Sequence, residues 1–496
     1  MVCSNMTHFY NFVDGKFTEK IKNFQIKINP NNLKEDYRFS DSDFLDIVAS
    51  VQAAHKAQKR WQEMGSQERK LILNRFAELI LKNKDLLAQL ESEDSGMPIG
   101  FSQQLCLQAH HKFLRCIEHQ FESHSNCVVA ADRSQSTTSL EYIISSPVGI
   151  MGIITDWQQS ILTICENLAA SLACANTLIL HPSEFSIRSA LKLAEISIEA
   201  GVPPGVINVL LARGDEFAEL IVEHPAIKHI RFYGENAVGE KLYKSAAENN
   251  KRIFLSLGAN NAAIVFQDCD LVEAVKNSLD LTLGFHFFGR KKINRVFIQE
   301  KILNDFKSEL TSQLASRMAP QNFDNSMGPM PCAHLKSRFD AYIAQSKLDR
   351  AKVFFEGSEN EVSVLFQRTQ LKSDFLALPI IYEDLTNCST LHQESLVGPI
   401  LFIQSFKYAH ELSKTLGSSP FANCVYIWTE DITRIYKLGS QLDVGCVYVN
   451  SLPSNQDQFS HTILKNSGLG DDGIKALFDF NLYKKLISIK TSDENS

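Results

Sequence analysis

Between residues 148 and 257, short β-branched runs alternate with amphipathic segments of helix length, a rhythm that few architectures accept. The order is GIMGIITDW, ILTICENLAASLACA, TLILHPSE, SIRSALKLAEISIEAG, VINVLL, GDEFAELIVEH and IKHIRFYG. Parallel strands cannot be joined by a tight turn, and both faces of their sheet need cover, so this pattern is that of βαβ units. A Rossmann-like layer is expected here. A second alternating block opens with AAIVFQ near Asn261 and closes with GCVYVN, which predicts a second α/β domain.

The flanks complete the plan. Apolar residues recur at helical spacing in DFLDIVASVQAAHKAQKRW and again in ERKLILNRFAELILKNKDLLAQL, predicting two amphipathic helices. In SLEYIISSPVGIMGIITDW the β-branched residues crowd around Pro147 and Gly149, predicting a strand, a turn and a buried strand. The segment NLYKKLISIK reads as an edge strand, and residues 491–496 as a polar tail.

Fifty basic residues stand against 57 acidic ones, for a formal charge of −7, with no basic stripe to follow a phosphate backbone, so no nucleic-acid partner is expected. No stretch reaches the roughly 18 to 20 unbroken apolar residues that cross a bilayer, and the first residues lack a signal peptide's basic start and apolar core. No membrane association is expected, and a cytoplasmic location is. The eleven cysteines are dispersed without CxxC pairs, which suits reduced, buried thiols and predicts no metal site.

At ITDWQQS, LILHPSE, AGVPPGVINVL, IRFYGENAVG, LSLGANNAAIVFQDCDL, ESLVGPILF and LKNSGLGDDG, all in one order, the chain resembles the aldehyde dehydrogenase superfamily, from FVDGKF near residue 12 to about residue 490. FVDGKF and SLEYIISSPVG look most like the branch that oxidises 2-aminomuconic semialdehyde. The resemblance implies an α/β fold of three parts. These are a Rossmann-like dinucleotide-binding-type domain over 1–127 and 148–257, an α/β catalytic-type domain over 258–450, and a small β oligomerisation arm over 128–147 and 475–490. A homodimer or homotetramer is implied, or assembly with paralogous subunits.

In that family a cysteine thiolate attacks the aldehyde, an asparagine amide and the cysteine's own N–H hold the oxyanion, hydride passes to NAD(P), and a glutamate activates water. Here the nucleophile position falls on Arg290, which is permanently protonated and has no electron pair to give. The glutamate becomes Ser256, a hydroxyl too weak to deprotonate water unaided. The oxyanion asparagine becomes Gln158, one methylene longer, and a lysine of the proton path becomes Asn167. The nearest cysteines along the chain, Cys269 and Cys332, lie in other segments.

The positions implied for the cofactor are changed as well. The ribose lysine of KPSE is His181, though Glu184 is kept; FTGS becomes FYGE, keeping Gly234 and placing Glu235 beside a diphosphate; and the glutamate and phenylalanine of EEIFGP become Ser395 and Val397. Turn and packing residues such as Gly149, Asn176, Pro203, Gly205, Asn208, Gly258, Gly398 and Gly468 are kept.

Scaffold kept and chemistry replaced predicts a catalytically inactive homologue, a pseudoenzyme with a structural or assembly role, such as a crystallin-like bulk protein or a non-catalytic subunit. No cofactor is expected, the ancestral NAD or NADP being poorly served. The alternative is an NAD(P)-dependent aldehyde or semialdehyde dehydrogenase with a rearranged active site. Two readings of Arg290, Lys291 and Lys292 stay open: a solvated surface loop, or a plug in which Arg290 with Phe285, Phe287 and Phe288 fills a vacated substrate tunnel. His181, His286 and His461 read as packed or exposed rather than catalytic.

Overall fold

The computed structural model describes all residues except 1–6, 20–22, 123–129, 133–136, 285–288, 318–327, 358–373, 384–388, 454–458 and 493–496. Helix α1 (Phe44–Glu63) begins at a reciprocal cap. The Asp43 carboxylate accepts from the Leu45 and Asp46 amides at 2.8 and 3.2 Å, and the Asp46 carboxylate accepts from the Asp43 amide at 2.9 Å. Amides without a helical acceptor are thereby satisfied. Ile47, Val51, Ala54, Ala57 and Trp61, spaced by three and four residues, form its buried face.

The single helix expected from Glu68 to Leu90 is two, α2 (Ser66–Lys82) and α3 (Lys84–Ser95). Asn83 ends the first by donating its side-chain amide to the Leu79 carbonyl at 2.8 Å, a local capping bond that competes with helix continuation. Neither glycine nor proline marks the break. Helix α4 (Ile99–Glu122) follows and lies along α5 (Ser160–Ala173), whose nearly uniform burial explains its apolar sequence.

The first sheet holds β1 (Ile150–Ile154), β2 (Thr177–His181), β3 (Ile207–Val209), β4 (Ile227–Tyr233) and β5 (Arg252–Ser256). They run parallel in the order β5-β4-β1-β2-β3. Helices α6 (Ile187–Ala200), α7 (Asp215–Glu223) and α8 (Asn236–Glu248) make the later crossovers. The order reverses between β1 and β4, and ligands in such sheets bind beyond the strand ends at this reversal. Short antiparallel strands close both margins, Phe12–Val13 against β3 and Gly468–Leu469 against β5.

The second sheet begins with β6 (Asn261–Val265), α9 (Leu271–Thr282), β7 (Ile293–Gln299), α10 (Leu303–Arg317) and α11 (Ala333–Leu348). It continues with β8 (Lys352–Glu356), β9 (Ile380–Glu383), β10 (Ile400–Phe406), α12 (Ala409–Gly417), β11 (Cys424–Trp428), α13 (Ile432–Gln441) and β12 (Cys446–Val449). The order is β8-β9-β10-β7-β6-β11-β12, antiparallel only at β8. Strand β7 alternates as a doubly covered strand must: Val296 and Ile298 pack with Phe306 and Leu310, Phe297 with Leu412 and Leu416.

A three-stranded arm stands apart from both sheets. Leu482–Ser492 pairs antiparallel with the whole of Thr137–Pro147, which pairs on its other side with Ala130–Asp132. The expected edge strand therefore exists and runs two residues into the 491–496 tail; residues 493–496 lie outside the described ones. Helix α14 (Ile474–Phe480) does not belong to the arm's sheet: Ile474, Leu477, Phe478 and Phe480 join the core around α4 and α5. Asn176 anchors the arm's root, accepting from the Gly149 amide at 2.9 Å and donating to the Asn481 carbonyl at 2.8 Å.

Candidate active site

Two cavities meet at the carboxyl ends of the first sheet. The larger is a groove of ≈ 290 Å³ at the β1/β4 reversal, walled by Ile154, Pro182, Ala218 and Val238, with Asp156, Glu184, Gly234 and Glu235 on its lining. Gly234 ends the strand where any larger residue would drive its Cβ to 2.3 Å from the Phe232 ring. Helix α8 then starts without a side-chain cap, so its first amides remain available to an anion at the helix end.

The side chains of the groove depart from what the resemblance implies. His181 is 6% exposed, its Nδ1 lies 3.1 Å from the Leu210 carbonyl oxygen, and its ring meets Phe217 edge-on. Burial pulls its pKa down to about 4 against the pull of that carbonyl, so it is neutral and packed. Glu184 pairs with Arg213 at 3.4 Å. Glu235, expected to repel a diphosphate, pairs with Arg338 at 2.8 Å, which neutralises it at the rim.

The second cavity, ≈ 130 Å³, is lined by Ser256, Gly289, Arg290, Lys291, Tyr233 and Asp472 among others. Its walls carry paired charge. Lys112 lies 3.3 Å from Glu166. Burial pushes the Asp472 carboxyl up, but His461, Arg231, Lys112 and Lys291 outweigh it and hold the group well below the usual carboxylate range. His461 faces Asp472 across a two-residue antiparallel pairing.

Arg290 stands between the two cavities. Its Nη2 donates to the Asp156 carboxylate at 2.6 Å, with the side chains 14% and 17% exposed, and its guanidinium lies 5.3 Å from the centre of the Tyr233 ring. Asp156 lines the groove, Arg290 lines the cleft and Tyr233 lines both, so the three form a partition between them. Tyr233 is fixed from behind: its hydroxyl accepts from Asn167 at 3.0 Å and from Arg231 at 2.9 and 3.1 Å. The solvated-loop reading of Arg290 to Lys292 is corrected by this burial, Lys292 being only 6% exposed. Phe285, Phe287 and Phe288, the other members of the expected plug, lie outside the described residues, as does His286, read as packed or exposed.

The remaining sequence-derived positions scatter. Asn167 is wholly buried, giving its amide to the Thr163 carbonyl as well as to Tyr233, and does not line the cleft. Gln158 is absent from the lining of either cavity; Gln159 lines the cleft instead, in a left-handed turn with φ 51°. Ser395 latches a loop, accepting from the Ala259 amide at 3.1 Å, and Val397 packs against the core. Lys292 donates to the Leu396 carbonyl at 2.7 Å, and burial, then Arg338, lowers its pKa to about 7. It too is off the cleft lining.

No cysteine lines the cleft among the described residues. In space the nearby thiol is neither Cys269 nor Cys332 but Cys424, whose Sγ lies 3.7 Å from the Tyr426 hydroxyl, which itself donates to the Lys291 carbonyl at 2.7 Å. Burial pushes the Cys424 thiol up to about 12, so it carries no thiolate at neutral pH. Among the described residues no group of three His, Cys, Asp or Glu is placed to hold a metal ion, and no helix is long and apolar enough to cross a membrane.

Sequence reasoning did not single out Asp156, Tyr233, Lys112, Glu166 or Asp472. One signal was available: Glu166 and Asn167 interrupt an otherwise apolar helix, and a charge on a buried face asks for a partner.

The aldehyde dehydrogenase family model matches residues 17–487. The chain belongs to this family. It is 26% identical to 2-aminomuconic semialdehyde dehydrogenase of Mus musculus over 97% of this chain and 98% of that protein. The aldehyde dehydrogenase KauB of Pseudomonas aeruginosa superposes with a TM-score of 0.89 at 25% identity, covering 97% of this chain and 96% of that one. An aldehyde dehydrogenase from Bacillus cereus, solved as an NAD+ complex, superposes with a TM-score of 0.88 at 24% identity, over 98% and 97% of the two chains.

These findings overturn the expectation of no cofactor: the relatives of this family member are dehydrogenases, which points to a nucleotide rather than to none. The physical reason is visible in the groove. That expectation rested on His181, Glu235, Ser395 and Val397, yet His181 is a packing residue, Glu235 is neutralised by Arg338, and Ser395 and Val397 serve a loop and the core, while the uncapped helix end stays open.

Proposed function

We propose that this member of the aldehyde dehydrogenase family binds a nicotinamide dinucleotide in the groove but does not carry out the family's thiol-dependent aldehyde oxidation, and acts as a non-catalytic subunit. The observation that carries this reading is the partition of Arg290, Asp156 and Tyr233, a closed ion pair and ring at the position where a nucleophile and a hydride path would be needed. A guanidinium offers no electron pair to a carbonyl carbon, and Ser256 on the cleft wall offers no base.

The groove's residues fit the nucleotide. The first turn of α8 suits a pyrophosphate, Ile154, Ala218 and Val238 suit an adenine face, and Glu184 reaches the ribose side. Bound there, the nucleotide would supply a hydride acceptor. Assembly is supported by the arm, which leaves Ile144, Tyr483, Leu486 and Ile489 exposed. The partner is a second copy or a paralogous subunit. The matched relatives are named as enzymes, and nothing in them supports a crystallin-like bulk role.

The test is binding separated from turnover. NAD or NADP should raise the melting temperature saturably, by the equivalent of about 2.7 kcal/mol at a hundred times the dissociation constant. Incubation with a panel of aldehydes should form no reduced nucleotide and no mass adduct. Aldehyde-dependent reduction that follows the protein peak would sink the reading in favour of a dehydrogenase with a rearranged site, the activity named in its mouse relative.

A further inference from the structure

A third cavity, away from the groove and the cleft, holds a buried cation without a counter-charge among the described residues. It encloses ≈ 300 Å³ and is lined by Arg295, His392, Gln393, Lys414, Thr415, Ser418 and Ser419. No carboxylate contributes to that lining among the described residues. Arg295 lies on β7 two residues before Phe297, hence on the face covered by α12, where its neighbours Leu412 and Leu416 are apolar. It is 3% exposed and makes no ion pair among the described residues. One nitrogen donates to the Asn260 carbonyl at 2.9 Å, while Nε is buried without an acceptor among the described residues.

That arrangement is costly as it stands. A guanidinium taken out of water needs charge or acceptors in return. Burial alone lowers its pKa, to about 10, which leaves it charged at neutral pH. The groups around it are those that complete an oxyanion receptor: a planar fork of donors below, a second cation at the rim in the Lys414 ammonium, and hydroxyls on the turn that follows α12. The volume is several times the roughly 30 Å³ share of a water molecule, so the space admits more than one solvent molecule.

We propose that this cavity is a binding site for a small oxyanion of the phosphate or sulfate class, held by Arg295 from beneath and by Lys414 at the mouth. The anion supplies the counter-charge that the fold withholds, and it couples β7, α12 and the Thr390–Gln393 turn into one unit.

The test is titration of the full chain with inorganic phosphate at constant ionic strength, with chloride as control, followed by calorimetry and thermal melting. Because Arg295 variants can fail to fold, the informative substitutions are at exposed Lys414. Lys414→Ala should weaken phosphate about threefold and Lys414→Glu about tenfold, while unliganded stability stays put. Glycerol 3-phosphate separates the sources: tighter binding than phosphate identifies the end group of a small metabolite, and equal binding identifies the free ion. Absence of a saturable phosphate effect would overturn the proposal. So would an effect of equal size in wild type and Lys414→Glu, since that binding would belong elsewhere, such as the nucleotide groove.

Discussion

The groove and the cleft lie on opposite sides of Tyr233, yet they are made of different material. The groove is built from backbone: strand ends at a reversal of order, a glycine under Phe232 and an uncapped helix end. The cleft is built from side chains, with Lys112 against Glu166, Asp472 among cations and Arg290 on Asp156. Backbone features survive extensive substitution because any sequence that folds this way reproduces them. Side-chain chemistry does not, since a single replacement removes it. On the function proposed above, the difference would let a nucleophile and a base be replaced in the cleft while the groove keeps its backbone form.

The contrast can be broken experimentally, and the largest effect belongs to the frame. At Gly468, beside β5, a Cβ would stand 1.9 Å from the Leu255 carbonyl oxygen at a φ of 147°. Gly468→Ala should cost about 4 kcal/mol or abolish soluble expression, read from urea unfolding. A variant as stable as wild type would show that the frame is not backbone-limited.

Next in size is a pH effect in the groove wall. The folded pKa of His181 is lowered from its ordinary value of 6.5 to about 4, so the fold holds the neutral ring and the unfolded chain takes up the proton first. Its contribution is therefore fully present above pH 6.5 and is lost as pH falls toward 4. Relative to His181→Gln, wild type should lose on the order of 3 kcal/mol across that window. Parallel melting curves for the two proteins would make His181 a solvated surface histidine.

The smallest of the three concerns the partition. Arg290→Met leaves the Asp156 carboxylate largely buried and alone, and should cost about 2 kcal/mol, discounted because the pair is partly exposed. Adding Asp156→Asn should recover most of it, whereas a loss that is simply additive would mean the two groups do not act together.

The two largely parallel sheets were legible because doubly covered strands are near-continuous apolar runs, and the buried strands β1, β2 and β6 are mostly that. The break at Asn83 was not, because a side-chain bond to Leu79 ends the helix where no glycine or proline announces it. At the site, sequence singled out Arg290 and Ser256, and both line the cleft. It could not bring Asp156, Tyr233 and Arg290 together, since they come from three separated segments and meet only through the packing of the two sheets. The same limit hid Cys424, remote along the chain from Lys291 but two contacts away through Tyr426.

The arm sets an order of events during synthesis. Thr137–Pro147 finds its long partner only in Leu482–Ser492, so a nascent chain carries that ribbon with one margin bare until the ribosome has delivered residue 492. Bare strand margins recruit other chains. A premature stop just before Leu482 would make that exposure permanent, and the product would be a body with an adhesive rim, troublesome chiefly where many copies are translated side by side.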